Sequence, residues 1–198
     1  VAAATEFLEQ LWPTDLEPGE RLTVVRFTQN DAQTRWSPAP NGHFHSETVE
    51  EAAARAGSMA DGQVYVGIGT RPATLTANEK GSAHHILRLP GLWLDIDYGE
   101  IGHAAPQLAT ETDAHDVLTA MTAKGLRPSV VVNSGGGLQA YYLFDEPADA
   151  VDVDVTYDLG GRLREWAETL SGTRIDHTEN VDRIFRMPGT FNRKADMI

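Results

Sequence analysis

Apolar positions fall in short, separate runs along the chain, and the runs differ in kind. Residues 4–12 read as a short helix closed by Pro13, while residues 22–27 (LTVVRF) form a β-branched run that reads as a strand. Residues 37–42, rich in Pro, Asn and Gly, read as a loop. A helix is expected over residues 47–59, capped by Ser46 with Glu50 and Glu51 near its start. Residues 64–68 look like another strand, and the polar stretch 71–87 reads as loop. From Gly91 the pattern sharpens. Residues 92–97, 113–123, 129–133, 138–144, 151–170 and 173–176 read as strand, helix, strand, strand, helix and strand. Gly125 ends the first of these helices, and Gly135-Gly136-Gly137 turns the chain between the second and third strands. On the long helix Val151, Val155, Leu159, Trp166 and Leu170 share one face.

The order β-α-β-β-α-β is that of the split βαβ unit. The expected fold is therefore α+β. A split βαβ (ferredoxin- or RRM-like) catalytic sheet with a C-terminal basic segment spans residues 91–198, and an N-terminal α/β subdomain over residues 1–90 packs on it, one domain in total. In such a sheet the first and third strands lie side by side in the middle and the fourth flanks the first. Asp95 and Asp97, two apart, point to one face, and Leu94 and Ile96 to the other. On the third strand Gln139 and Tyr141 share a face opposite Leu138, Ala140, Tyr142 and Phe144. With Asp176 turned outward on the last strand, Asp95, Asp97, Gln139 and Asp176 are expected to converge on an open face.

Asp and Glu outnumber Lys and Arg by 29 to 16, a net charge of −13, which excludes a generally basic coat for nucleic acid. Any contact with nucleic acid must be local. The content of 41% hydrophobic and 23% charged residues is that of an ordinary globular chain. The absence of cysteine rules out disulfides, thiolate zinc sites and a cysteine nucleophile, so any metal is held by Asp, Glu or His. No apolar run approaches the roughly 18 residues of a membrane span, and the N-terminus lacks a signal-peptide pattern. A cytoplasmic protein without a membrane partner is expected. The chain stops shortly after Arg193-Lys194, which reads as a fragment of something longer.

Two carboxylates about 6–7 Å apart on one strand repel each other, and a divalent cation removes the conflict. Hard oxygen ligands suit Mg²⁺ or Mn²⁺, and paired ions of this kind serve in-line displacement at phosphorus. The turn Ser134-Gly135-Gly136-Gly137 reads either as a plain hairpin or as a backbone cradle whose N–H groups approach a phosphate. Arg183 and Arg186, three apart on an expected helical turn ended by Pro188, form the one concentrated basic patch together with Arg193 and Lys194.

Three segments together resemble a known family. The strand Trp93-Leu94-Asp95-Ile96-Asp97, the turn Ser134-Gly135-Gly136-Gly137-Leu138-Gln139 and the run Arg186-Met187-Pro188-Gly189-Thr190-Phe191-Asn192-Arg193-Lys194 are similar to the primase-polymerase (prim-pol) domain of phage and plasmid replication proteins, within the archaeo-eukaryotic primase superfamily. The resemblance implies a DNA primase-polymerase, a two-metal nucleotidyltransferase that uses nucleoside triphosphates on a single-stranded DNA template. It implies Mg²⁺ or Mn²⁺ at Asp95 and Asp97, with Asp176 as the further acidic ligand. It implies nucleotide contacts from Ser134, Gly135, Gly136, Gly137, Gln139, Arg183, Arg186 and Lys194. Gln139 stands where the family usually has a histidine, and an amide brings no charge to the nucleotide. No G-x-x-x-x-G-K-[ST] occurs, so a helicase domain would lie beyond residue 198. A phage or plasmid origin would place the protein in a bacterial host's cytoplasm.

Rival readings rest on fewer residues. His43-Phe44-His45 matches the histidine pattern of rolling-circle (HUH-type) nicking endonucleases, but no tyrosine is followed three residues later by lysine. A nucleotide cyclase on a similar palm leaves the Pro-Gly-Thr segment without a role. A non-catalytic nucleic-acid-binding sheet would stack bases on Trp93 and Tyr141, with the acidic cluster on the same face opposing the phosphates.

Overall fold

The β-branched run that begins at Leu22 becomes the spine of a sheet. Described in this computed structural model are residues 1–29, 36–59, 62–99, 108–149 and 153–192. Helix α1 (Ala2–Leu11) leads into β1 (Glu20–Gln29), β2 (Trp36–Ser46), α2 (Val49–Gly57), β3 (Gln63–Gly67) and the two-residue β4 (Arg71–Pro72). A short 3₁₀ turn (Ala83–His85) precedes β5 (Arg88–Asp97), α3 (Glu111–Ala123), β6 (Val130–Asn133), β7 (Gly137–Asp149), α4 (Val153–Ser171) and β8 (Ile184–Arg186). One sheet has the order β2-β1-β3-β8, with β4 pairing β1; the other has the order β5-β7-β6. All these pairings are antiparallel, so the class is α+β, as expected.

The expected side-by-side placing of β5 and β7 is present, with Asp95 opposite Gln139 and Asp97 opposite Gly137. The expected last strand is not. Residues 173–176 form no ladder; the Thr173 and Ile175 N–H groups donate instead to Ser171 Oγ (3.3 Å) and Glu168 Oε1 (2.9 Å), and just beyond them Trp93 Nε1 donates to the Thr178 carbonyl (2.6 Å). The closing strand comes later, where a helical turn was expected. It is β8, and it pairs with β3 of the other sheet through Val66 opposite Phe185. Burial explains the choice, since an extended backbone puts the Phe185 ring edge-on to both Trp93 and Tyr141, at centroid distances of 6.0 and 5.9 Å.

The Pro/Asn/Gly-rich stretch 37–42 belongs to β2 rather than to a loop. It lies at the sheet edge, where proline's missing N–H costs no ladder bond. A register shift opposite Val25 and Phe27 accommodates Asn41 at φ 51°. The cap of α2 is Thr48, which accepts from the Glu51 N–H, rather than Ser46.

Two cores result. One unites α1, α2, the larger sheet and the Trp93–Tyr141 face of the small sheet; the other packs α3 and α4 on the Leu94, Ile96, Leu138 and Ala140 face. The face expected to be open is therefore largely covered: Trp93 is 4% and Tyr141 1% exposed. Of the apolar face expected on α4, Val155, Leu159 and Trp166 are 53, 43 and 41% exposed, Leu170 packs against the core beside the buried Leu163 and Ala167, and Val151 lies outside the described residues. Arg164 joins the buried side because Glu168 and Glu179 accept its donors (2.9 and 3.4 Å). Among the described residues no helix is long and apolar enough to cross a membrane.

Candidate nucleotide cleft

The site is built where the ends of the two sheets meet. On β5 alternation places Asp95 and Asp97 on the face of Trp93, both half-buried, as expected from the sequence. A Cβ on Gly137 would stand 2.7 Å from Asp97 Oδ1 and 3.1 Å from the Ile96 carbonyl, so a side chain here would displace the carboxylate from its present place against the turn. Beside Asp95, burial first and the Asp95 charge second push the Tyr141 phenol well above its ordinary pKa. It stays a neutral donor and bonds Gln139 Oε1 at 3.4 Å.

Gly135 takes φ +89° at the first position of the hairpin tip, and the Ser134 N–H donates to the Gly137 carbonyl (2.8 Å), as a tight two-residue turn requires. Two of the N–H groups expected to cradle phosphate are thereby engaged within the hairpin. Ser134 N–H meets Gly137, and Gly135 N–H donates to Asn133 Oδ1 (2.8 Å). The Ser134 hydroxyl also donates to the Gly137 carbonyl (3.0 Å). Asn133 is itself held, accepting from the Tyr98 hydroxyl (3.1 Å) and donating to Glu111 Oε1 (2.9 Å).

Opposite this turn runs the loop after β8. Turn and loop enclose a cleft of about 460 Å³ lined by Tyr98, Asn133, Ser134, Gly135, Arg186 and residues 187–192. Asn192 Nδ2 donates to the Ser134 carbonyl (2.9 Å) and joins the two walls. Of the expected basic residues, Arg186 is in the wall but buried, and its donors are taken by the protein. Arg183 stacks over the Phe185 ring at 5.9 Å. Lys194, with Arg193, lies outside the described residues. Sequence reasoning missed Asn133, Tyr98, Glu111 and Asn192 as site residues; Asn133 and Asn192 adjoin or lie within quoted motifs, so a signal was present.

Asp176 is exposed on the irregular segment that the Trp93 indole pins alongside β5. Asp182, six residues further on, is occupied: it meets Lys80 Nζ at 2.7 Å, and its backbone carbonyl accepts from the buried Arg71. Among the described residues no group of three or more His, Asp or Glu stands close enough to hold a metal ion. The donor chemistry of Asp95 and Asp97 nonetheless fits Mg²⁺ or Mn²⁺, since such ions are commonly held by one or two carboxylates together with substrate phosphates.

The histidine pair of the nicking-enzyme reading belongs to no group of three or more metal-ligating side chains among the described residues. His43 is buried, and desolvation pushes its pKa down, while His45 meets Thr23 Oγ1 (3.0 Å) and the Thr76 carbonyl (3.1 Å). Trp93 and Tyr141 are too deeply buried to stack bases.

Among solved structures the fold is similar to the polymerase domain from Mycobacterium tuberculosis Ligase D in complex with DNA, with a TM-score of 0.51 and 16% sequence identity over 97% of this chain and 75% of that one. At this identity the likeness is one of fold. No protein-family model and no curated protein matches the chain.

Proposed function

We propose that the chain is a nucleotidyltransferase that synthesises and extends primers on single-stranded DNA. The observation that carries this reading is the Asp95/Asp97 pair standing against the Gly137 end of the turn that also walls the cleft. A fold similar to a polymerase domain, and the order of the three motifs, support it.

In the proposed reaction the nucleoside triphosphate lies in the cleft with its phosphates toward Asp95 and Asp97. A 3′-hydroxyl attacks the α-phosphate, the O3′–P bond forms, the bond to the bridging oxygen breaks, pyrophosphate leaves, and the hydroxyl proton passes to solvent. Asp95 and Asp97 would hold the cation together with the substrate phosphates, and Asp176, which does not form a group of three with them in this structure, would be the further carboxylate; the Ser134 turn and the loop after β8 orient the nucleotide. A bound Mg²⁺ or Mn²⁺ would neutralise phosphate charge and favour the ionised 3′-oxygen.

The test is incorporation of labelled nucleotides on unprimed and primed single-stranded templates with Mg²⁺ or Mn²⁺. Asp95→Asn and Asp97→Asn should each lower incorporation by orders of magnitude while the folded protein persists. Extension near the wild-type rate in either variant would sink the proposal. Activity on primed templates alone would reduce it to a polymerase without priming.

A further inference from the structure

Arg186 ends β8 and is buried among groups drawn from separate parts of the chain. Nη2 donates to Gln63 Oε1 (2.6 Å), to the Tyr65 hydroxyl (3.2 Å) and to Asn192 Oδ1 (3.0 Å), and Nη1 donates to the Phe191 carbonyl (3.1 Å). The guanidinium also lies over the Tyr65 ring, 5.1 Å from its centroid. Asn192 in turn donates to the Ser134 carbonyl. A chain of hydrogen bonds therefore runs from β3 through Arg186 and Asn192 to the glycine-rich turn, tying the larger sheet to the small one at the cleft. None of the four acceptors of Arg186 is a carboxylate; three share the two hydrogens of Nη2 and the fourth meets Nη1, so a single ammonium cannot reach both groups and also lie flat over the Tyr65 ring.

We infer that Arg186 is a positioning residue: through Asn192 it holds the loop of residues 188–192 against the Ser134 turn and so sets the cleft for the nucleotide, without contacting the phosphates itself. The inference rests on the nucleotidyltransferase reading for the identity of the ligand. A direct phosphate contact would require the guanidinium to abandon Gln63, which is fully buried with an unpartnered Nε2, and would leave its Oε1 with the longer bond from the Tyr65 hydroxyl (3.1 Å) in place of the 2.6 Å charge-assisted one.

The two roles separate in Arg186→Lys and Asn192→Ala, made singly and together in the whole chain. As a positioning residue, Arg186 is not rescued by lysine. Each single variant should raise the nucleotide KM about tenfold with little change in kcat, and the double variant should be no worse than the poorer single one. Amides of residues 189–192 should exchange with solvent about tenfold faster in both variants without any nucleotide present. A direct phosphate contact would give the opposite pattern, with lysine keeping most of the affinity and Asn192→Ala silent, and that result would overturn the inference. Unchanged exchange in the loop would overturn it too. A wild-type chain that incorporates no nucleotide would instead defeat the proposed reaction, and the exchange data would then decide the clamp by themselves.

Discussion

Asp176 and Asp182 illustrate how neighbouring carboxylates are separated by what surrounds them. Asp182 is committed to Lys80 and to the turn that carries the carbonyl bonded by Arg71, whose pKa burial lowers to about 10. Asp182→Ala should therefore cost stability, about 1 kcal/mol in a urea titration, and leave incorporation intact. Asp176→Ala should spare stability and lower incorporation by orders of magnitude; full activity in that variant would remove it from the proposed site. Gln139 is 5% exposed and accepts from Tyr141, so its amide already serves the core. Gln139→Leu should destabilise by about 1 kcal/mol, read as a lower urea midpoint, because the Tyr141 hydroxyl keeps no partner there. From the sequence the alternation of Asp95, Asp97 and Gln139 was legible, since strand period is local. The covering of their face was not, because the covering residues come from α1 and β8.

At the scale of elements, α4 carries one broad apolar arc, and periodicity alone could not say which edge of it is buried. The edge through Val155, Leu159 and Trp166 is exposed, and the edge through Leu163 and Ala167 is buried, where Arg164 beside it finds Glu168 and Glu179. Leu163→Ala should cost about 2–5 kcal/mol, whereas Trp166→Ala should stay within about 0.5 kcal/mol of the wild type. Chemical denaturation of the two variants checks this, and reversed costs would mean that the helix is rotated.

Across the whole molecule the sheets are joined by ion pairs as well as by the shared core. Glu20 of β1 receives Arg88 of β5 on both carboxylate oxygens, together with the Thr70 hydroxyl and the Glu17 N–H. Burial alone would raise the pKa of Glu20, but these hydrogen bonds, that of Arg88 foremost, outweigh it and hold the carboxyl below its ordinary 4.5. A depressed folded-state pKa means stability that is complete above pH 4.5 and is lost as pH falls through the lower folded value. Glu20→Gln should therefore lower the melting temperature at neutral pH, on the order of 3 kcal/mol of stability, and flatten the acid limb of the stability curve. An unchanged acid limb would show that this pair does not couple the sheets.

Local order determined much of this protein by itself. The strand and helix runs, the paired carboxylates on one face of β5, the tight glycine turn before Gln139 and the α+β class all follow from periods and turn chemistry that act within a few residues. Only the tertiary structure decided which sheet received the last strand, which face of α4 was buried, and where the guanidinium of Arg186 was spent. Those outcomes depend on partners far away in the chain, with Phe185 set between Trp93 and Tyr141, Arg164 reaching Glu179, and Arg186 reaching Gln63. Burial of a side chain is settled by whatever covers it, and a charged residue becomes a core residue when distant acceptors satisfy it.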